Sequence, residues 1–576
     1  MNSAVLALTG LSLFGLGYKF YSRFLANKIY GLNHIKSGVP SHLYNDGLDF
    51  VPTKKHILFS HHFTSIAGAA PIIGPCIAAF WGWLPAFLWV VFGTIFIGAV
   101  HDFGALVISI REKGRTIPRI SETVINARCK TMFLIFVLML TWLVLAVFSM
   151  VIANLFVSVP TAVLPINIEI LMALGMGWLI YKKKSSTLIL SIIALGLLYI
   201  FIWVGIQFPL SFEIFDLSIN SQTNLWIILL LIYAGIASLL PVWSLLQPRD
   251  FINSHQLIVG LVLIYGGLFI ARPLIDAPMI RLASDGAPPI FPFLFVTIAC
   301  GAISGFHGLI SSGTTSKQID KVKDSRLIGY GGMLGEGMLA LASTLAAVAG
   351  IALVSQCHLP SIGYVEQLSW DLYYDSWPHA TANKAKAFVL GGGAFIQKLG
   401  FTKEFAHTIM AVLVISFAAT TLDTATRIQR FIITELAGGL SIQLFKKRIP
   451  ATFLSILPAL FLAMWTVSDP LTGESTQAGW VLWPIFGASN QMLAALTLLI
   501  LCLYFFAERK PILPLFIPFV FITVITLLTL FIKAGTFIHT NLLLFTLNIL
   551  LIGLIFWMLV EGSIAYFNQK NAFQSE

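Results

Sequence analysis

The stretch Gly301–Lys317, GAISGFHGLISSGTTSK, closes an apolar segment that Phe291 opens. Hydrocarbon offers no partner to a backbone N–H or C=O, so a membrane segment this rich in Gly, Ser and Thr belongs against protein or water. It reads as the lining of a site. A second stretch, His61–Phe80, HHFTSIAGAAPIIGPCIAAF, carries Pro71, Gly74 and Pro75 inside an otherwise membrane-like span. Proline removes a helix donor and glycine relaxes the backbone, so a break over Ala70–Pro75 is expected. Two interrupted segments in one chain of this size point to a solute site between them. The competing reading is that the small residues only let helices pack closely.

The whole composition supports a membrane setting. Of 576 residues 57% are hydrophobic and 10% charged, and the mean hydropathy is +0.88. A water-soluble domain of that composition would expose large apolar patches. The fold expected is therefore all-α, a polytopic integral membrane protein. The net charge of +10 falls in short loops between apolar runs, as membrane topology requires, so no nucleic-acid partner is expected and the lipid bilayer is. The five cysteines are scattered without a CxxC pair, which indicates neither a disulfide framework nor a metal site. The first twenty residues lack a charged leader and cleavage site, so they read as a retained first helix.

Apolar runs give candidate spans at 3–22, 63–83, 84–110, 131–157, 161–181, 186–206, 224–246, 257–273, 291–315, 327–354, 404–425, 451–467, 481–506, 512–533 and 540–562. The expectation is about fifteen crossings, with 1–22 a peripheral helix, 60–430 the transport core and 451–576 accessory helices. Basic residues test the parity. Arg23, Lys28, Lys36, Lys54 and Lys55 follow the first span, Arg111–Lys130 the third and Lys182–Lys184 the fifth, while the loops 207–223 and 468–480 hold only acids, Glu213, Asp216, Asp469 and Glu474. That pattern places the N-terminus outside and the C-terminus in the cytoplasm. Two segments, Ala385–Gly400 and Ile432–Phe445, fit no crossing; the first reads as a re-entrant or surface piece and the second as lying along the inner face. Six spans separate the two interrupted segments, where a five-helix inverted repeat needs four.

Ionisable groups inside spans are costly and so mark function or pairing. Asp102, in GAVHDFGALVIS, and His307 are candidates to carry a proton. Asp423, in ATTLDTATRIQRF with Thr420 and Thr421, offers oxygen ligands for a proton or cation, or else pairs with Arg427 one turn on. Arg249 and Asp250, in LLQPRDF, read as a latch, and Glu336 as relay or packing. Ser489, Asn490 and Gln491 either join helices or touch solute. The solute-binding set expected around the breaks is Gly68, Ala70, Gly74, Ser304, Gly305, His307, Ser311, Ser312, Thr314 and Thr315. His61 and His62 are adjacent and do not share a helix face. No HExxH, P-loop or GxSxG is present, so no enzyme, cofactor or ATP-driven step is expected.

Taken in order, HHFTSIAGAAPIIGP, GAVHDF, LLQPRDF, CGAISGFHGLISSGTTSK, ATTLDTATRIQRF and WPIFGASNQMLAAL resemble the carbon starvation protein A (CstA) family, from about the second span through the thirteenth. The resemblance implies a bacterial inner-membrane secondary transporter with a LeuT-like inverted-repeat core, importing pyruvate or short peptides, with proton coupling. The chain looks shorter than the long enterobacterial members, and His101 stands before Asp102 where the family pattern carries Gln. A channel or nutrient sensor on the same fold is the alternative; homo-oligomerisation stays open.

Overall fold

The computed structural model describes residues 1–35, 38–47, 49–282, 286–359, 363–382, 384–468, 475–477 and 482–575. Lys36, Asp469 and Glu474, used above for topology, lie outside the described residues. The chain is a bundle of helices: α1 Ser3–Ile29, α2 Lys55–Ile66, α3 Ala70–Trp81, α4 Trp83–Arg111, α5 Ala127–Ser158, α6 Pro160–Lys183, α7 Thr187–Gln207, α8 Ile219–Leu239 and α9 Leu246–Ala271. Then come α10 Ile290–Thr297, the turn Ala299–Ala302, and α11 Gly305–Ile310, whose helical path continues to Gln318. The remainder is α12 Val322–Leu353, α13 Lys384–Gln397, α14 Lys403–Gly439, α15 Arg448–Met464, α16 Trp483–Ala507, α17 Leu513–Thr540 and α18 Leu542–Ala572. Two short antiparallel hairpins, β1 Ser355–Leu359 with β2 Gly363–Gln367 and β3 Thr466–Ser468 with β4 Ser475–Gln477, sit in loops.

Twelve of these helices are continuous and apolar enough to cross a membrane. The chain is a multi-pass membrane protein. The other three expected spans take different forms: α2 and α3 are a pair bent by 47°, α15 has 17 residues, and the 290–318 segment is broken. Burial sorts core from rim. Along its most apolar window α14 is 89% buried and α7 only 28%, so α7 turns Ile189, Ile193, Ile200 and Trp203 outward, the apolar surface a lipid-facing helix needs.

The first break falls earlier than expected, at Ala67–Ala69 and not over Ala70–Pro75. The reason is local. Pro71 lies in the first turn of α3, where its missing N–H has no intrahelical acceptor to lose. The second break is at Ile303 and Ser304, both extended. Glycines let the halves close on their neighbours: a Cβ on Gly74 would stand 2.4 Å from Thr297 O, and one on Gly305 2.3 Å from Leu493 Cβ.

The two unplaced segments also resolve. Residues 385–397 form α13, a buried helix packed on α12, where a Cβ on Gly391 would lie 2.1 Å from Ala346 O. Residues 432–439 continue α14 and do not form a separate surface helix.

Candidate functional site: two breaks around one cavity

The broken segments meet. A small cavity is lined by Gly68, Ala70 and Pro71 from the first break, Cys300, Ser304, Phe306 and His307 from the second, and Val144, Phe148, Thr421, Phe486 and Asn490 from α5, α14 and α16. Asn490 holds the second break open: its Oδ1 accepts from Phe306 N at 3.0 Å, and its Nδ2 donates to Ser304 Oγ at 2.9 Å. An N–H left orphaned at a helix start is thereby satisfied by a side chain from another helix. Gly68 lets the first break approach α14, since a Cβ there would stand 2.8 Å from Thr421 Oγ1. That hydroxyl has no other hydrogen-bond partner among the described residues. The cavity amounts to about 20 Å³, room for about one water, so a solute enters only when it widens.

Not every expected residue lines it. Gly68, Ala70, Ser304 and His307 do, and Thr421 and Asn490 join them. Gly74 and Gly305 serve close packing. Ser312 bonds Gly308 O and the Ile117 amide, Thr315 bonds His62, and Ser311 is buried elsewhere. Ser489 bonds back within its own helix at Ile485 O, whereas Gln491 donates to Phe295 O and so joins two helices. Thr420 accepts from Asn253 Nδ2 at 2.8 Å.

Behind the second break lies a buried acid–histidine chain. His307 Nδ1 donates to Asp102 Oδ2 at 2.9 Å, and His101 Nδ1 to Asp102 Oδ1 at 2.7 Å. His307 Nε2 lies 3.3 Å from Glu336 Oε2. A carboxylate only accepts, so His307 gives its Nδ1 hydrogen to Asp102 and must share any second proton with Glu336. The arrangement can hold or pass one proton. Glu336, which the sequence leaves as relay, gate or packing, belongs here.

The latch itself differs from expectation. Arg249 pairs with neither Asp250 nor a loop acid: its Nη1 reaches Asp423 Oδ2 at 2.5 Å and its Nε Glu169 Oε1 at 3.4 Å. Asp423 therefore pairs with Arg249, 174 residues away, while Arg427 donates to Leu240 O and Ala237 O. The i, i+4 spacing misled because Arg427 caps the end of α8, where carbonyls lack helical partners. Asp250 instead accepts from His61 Nδ1 at 2.6 Å. His61 and His62 point to different partners, Asp250 and Thr315. Glu169 and Tyr233, whose hydroxyl donates to Asp423 at 2.9 Å, escaped the sequence reading. A lone Glu in the apolar run of α6 was the only available signal.

A larger cavity of about 490 Å³ opens toward the end where the basic loops gather. Lys113, Arg115, Arg119, Lys317 and Arg427 line it against Asp49 and Glu435, and it reaches Thr314, Thr424 and His61. The opposite end is covered. Arg281 donates to Tyr374 O at 2.6 Å and stacks 4.4 Å over Phe80, Trp81 meets Trp377 at 4.9 Å, and Tyr374 Oη donates to Cys76 O at 2.7 Å.

The model of the family described as Carbon starvation protein CstA matches residues 2–529. The chain belongs to that family. Among curated relatives, the peptide transporter CstA of Helicobacter pylori is 33% identical over 546 residues, covering 88% of this chain and 78% of its own. The peptide transporter CstA of Bacillus subtilis is 30% identical, covering 91% and 89%. The pyruvate/proton symporter BtsT of Escherichia coli is 30% identical, covering 86% and 76%. Membership in CstA makes this chain a membrane transporter. In fold it is similar to a manganese transporter of Eremococcus coleocola, at 12% identity and a TM-score of 0.50 over 90% of this chain and 99% of that one.

Proposed function

We propose that this CstA member is a proton-coupled importer of a small carboxylate such as pyruvate, or of short peptides, and acts without enzymatic chemistry or a cofactor. The observation that carries the reading is the convergence of both helix breaks on one cavity, beside the Asp102–His307–Glu336 chain. Broken helices turn loosened peptide groups toward a midplane solute, around which one bundle rocks against the other. Gly68, Ala70, Ser304, Thr421 and Asn490 contact the solute in this reading, and His307 with Asp102 carries the proton. The cationic vestibule favours an anionic or carboxyl-bearing solute, because clustered like charges raise its local concentration.

A LeuT-like core fits the helix order once α6 and α7 are set aside as an added hairpin on the rim. The six spans between the breaks then become four: α4, α5, α8 and α9. The core runs from α2 to α16, with α1, α17 and α18 accessory. Ser3 N and Oγ bond Pro273 O, so the start of α1 and the end of α9 share a face. The basic face is cytoplasmic by the positive-inside rule, with the N-terminus outside, the C-terminus inside and the whole in the bacterial inner membrane. The names of the relatives support proton coupling and the two solute classes. The manganese transporter supports fold only, and among the described residues no three His, Cys, Asp or Glu side chains converge to hold a metal ion. A channel needs a continuous path, and the aromatic cover over α3 opposes one.

The test is uptake of labelled pyruvate and dipeptides into proteoliposomes, with and without an imposed pH gradient. Gradient-driven accumulation of one class is the expected result. Failure to take up either class, or equilibration without accumulation, overturns the reading.

A further inference from the structure

The added hairpin carries Glu169 into the interior, where it is fully buried. A rim helix facing lipid gains nothing from an acid, and a buried carboxylate costs several kcal/mol unless its charge is met. Among the described residues the guanidinium that reaches it is that of Arg249, which is already engaged. Its Nη1 makes a 2.5 Å ion pair with Asp423 and a 2.8 Å bond to the Tyr233 hydroxyl, whereas its Nε lies 3.4 Å from Glu169. One cation therefore faces two acids.

The surrounding groups do not close the balance. From α9, Asp250 adds a third acid, and its partner from α2 is His61. From α8 comes Tyr233, neutral and donating to Asp423. From α14, Arg427 spends its guanidinium on carbonyls at the end of α8. Two buried atoms in the cluster, Asp423 Oδ1 and Arg249 Nη2, have no hydrogen-bond partner among the described residues. Arg249 with its two acids, Glu169 and Asp423, is thus short of one positive charge, and Asp250 with His61 supplies no fixed cation to make it up.

The partners decide where a proton goes. Asp423 touches a guanidinium, which only donates, and a phenol that accepts from Arg249 Nη1 and gives its hydrogen to Asp423, so that site favours a charged carboxylate. Glu169 Oε2 instead meets Ser416 Oγ at 2.8 Å. A hydroxyl donates to a carboxylate or accepts from a carboxylic acid equally well, so this contact survives either state of Glu169.

We propose that Glu169 is a proton-binding residue, holding one proton beside the Arg249–Asp423 pair at a site formed by α6, α8, α9 and α14, separate from the Asp102–His307–Glu336 chain. Binding adds a single proton to a carboxylate oxygen and cancels the excess charge; no other group is transferred. The hairpin that departs from a five-helix repeat is then the element that brings a second proton site into the transporter.

Infrared spectroscopy of the full chain in lipid nanodiscs, without solute, tests this through the carbonyl stretch of protonated carboxyl groups. Part of that band disappears in Glu169→Gln and persists in Asp102→Asn, and Ser416→Ala moves the same part by removing its hydrogen-bond partner. A spectrum unchanged by Glu169→Gln overturns the proposal. Should that variant not fold, Ser416→Ala decides, and an unshifted band overturns it equally. The measurement needs no transport, so its failure and a failure of the uptake assay are separate outcomes.

Discussion

The interior holds two acid clusters that solve the same problem differently. Around Asp102 the counter-groups are histidines, His101 and His307, whose imidazoles exist in neutral and charged forms. Around Asp423 and Glu169 the counter-group is Arg249, which keeps its charge. The first cluster has counter-groups of variable charge and touches the cavity between the breaks through His307. The second has a fixed cation and ties together four helices, so its acids, not its base, must do any titrating. The two clusters therefore differ in where a charge change can fall: on the base beside the breaks, and on an acid beside Arg249.

That contrast breaks most visibly if the fixed cation is removed. Arg249→Met leaves Asp423 and Glu169 facing each other, and loss of one partner of a buried pair costs about 3–5 kcal/mol. Thermal unfolding of the purified variant reports it, and adding Asp423→Asn restores part of the loss. His307→Gln, by contrast, melts close to the parent chain, because an amide can still donate to Asp102.

Function reverses the order. Asp102→Asn folds but removes the carboxylate's charge and one of the two oxygens that accept from His101 and His307, so accumulation driven by a pH gradient is lost while solute counterflow, which needs no net proton movement, continues. Loss of both activities together would make Asp102 structural.

A smaller effect tests whether the breaks are held by close packing. Gly305→Ala drives a methyl to 2.3 Å from Leu493 Cβ and 2.6 Å from Asn490 O, costing about 1–3 kcal/mol by overpacking and shifting the melting curve down. Smallest of all, Lys317→Gln combined with Arg115→Gln raises the apparent KM for an anionic solute a few-fold, and high salt narrows the difference, since the exposed Arg115 is screened more than the partly buried Lys317. A zwitterionic peptide shows little change, so the pair of measurements also separates the solute classes.

The sequence carried the breaks because their cause is local: Gly, Ser, Thr and Pro in an apolar run announce backbone that lipid cannot satisfy. It placed the first break a few residues late because Pro71 reads as a breaker, whereas in a first turn it is an initiator. Twelve of the fifteen expected span positions were legible from hydropathy alone. The pairings were not. Arg249 and Asp423 are 174 residues apart, and nothing in a linear reading prefers that contact to Arg427 one turn away. Glu169 sits in VLPINIEIL without a flanking polar cluster to mark it, and Tyr233 hides in a Leu-rich run. Asn490 was noticed, but its work of capping α11 depends on α16 crossing the break.

Cys300 gives the most direct test of the central claim, that both breaks frame the solute. It lines the cavity and takes a hydrogen bond from Asn490 Nδ2 at 2.9 Å. In a variant with Cys76, Cys129, Cys357 and Cys502 replaced by alanine, the rate at which a small maleimide alkylates Cys300 is measured with and without the transported solute. The transported solute slows alkylation several-fold and an untransported analogue does not. An unchanged rate in a variant that still transports would contradict it.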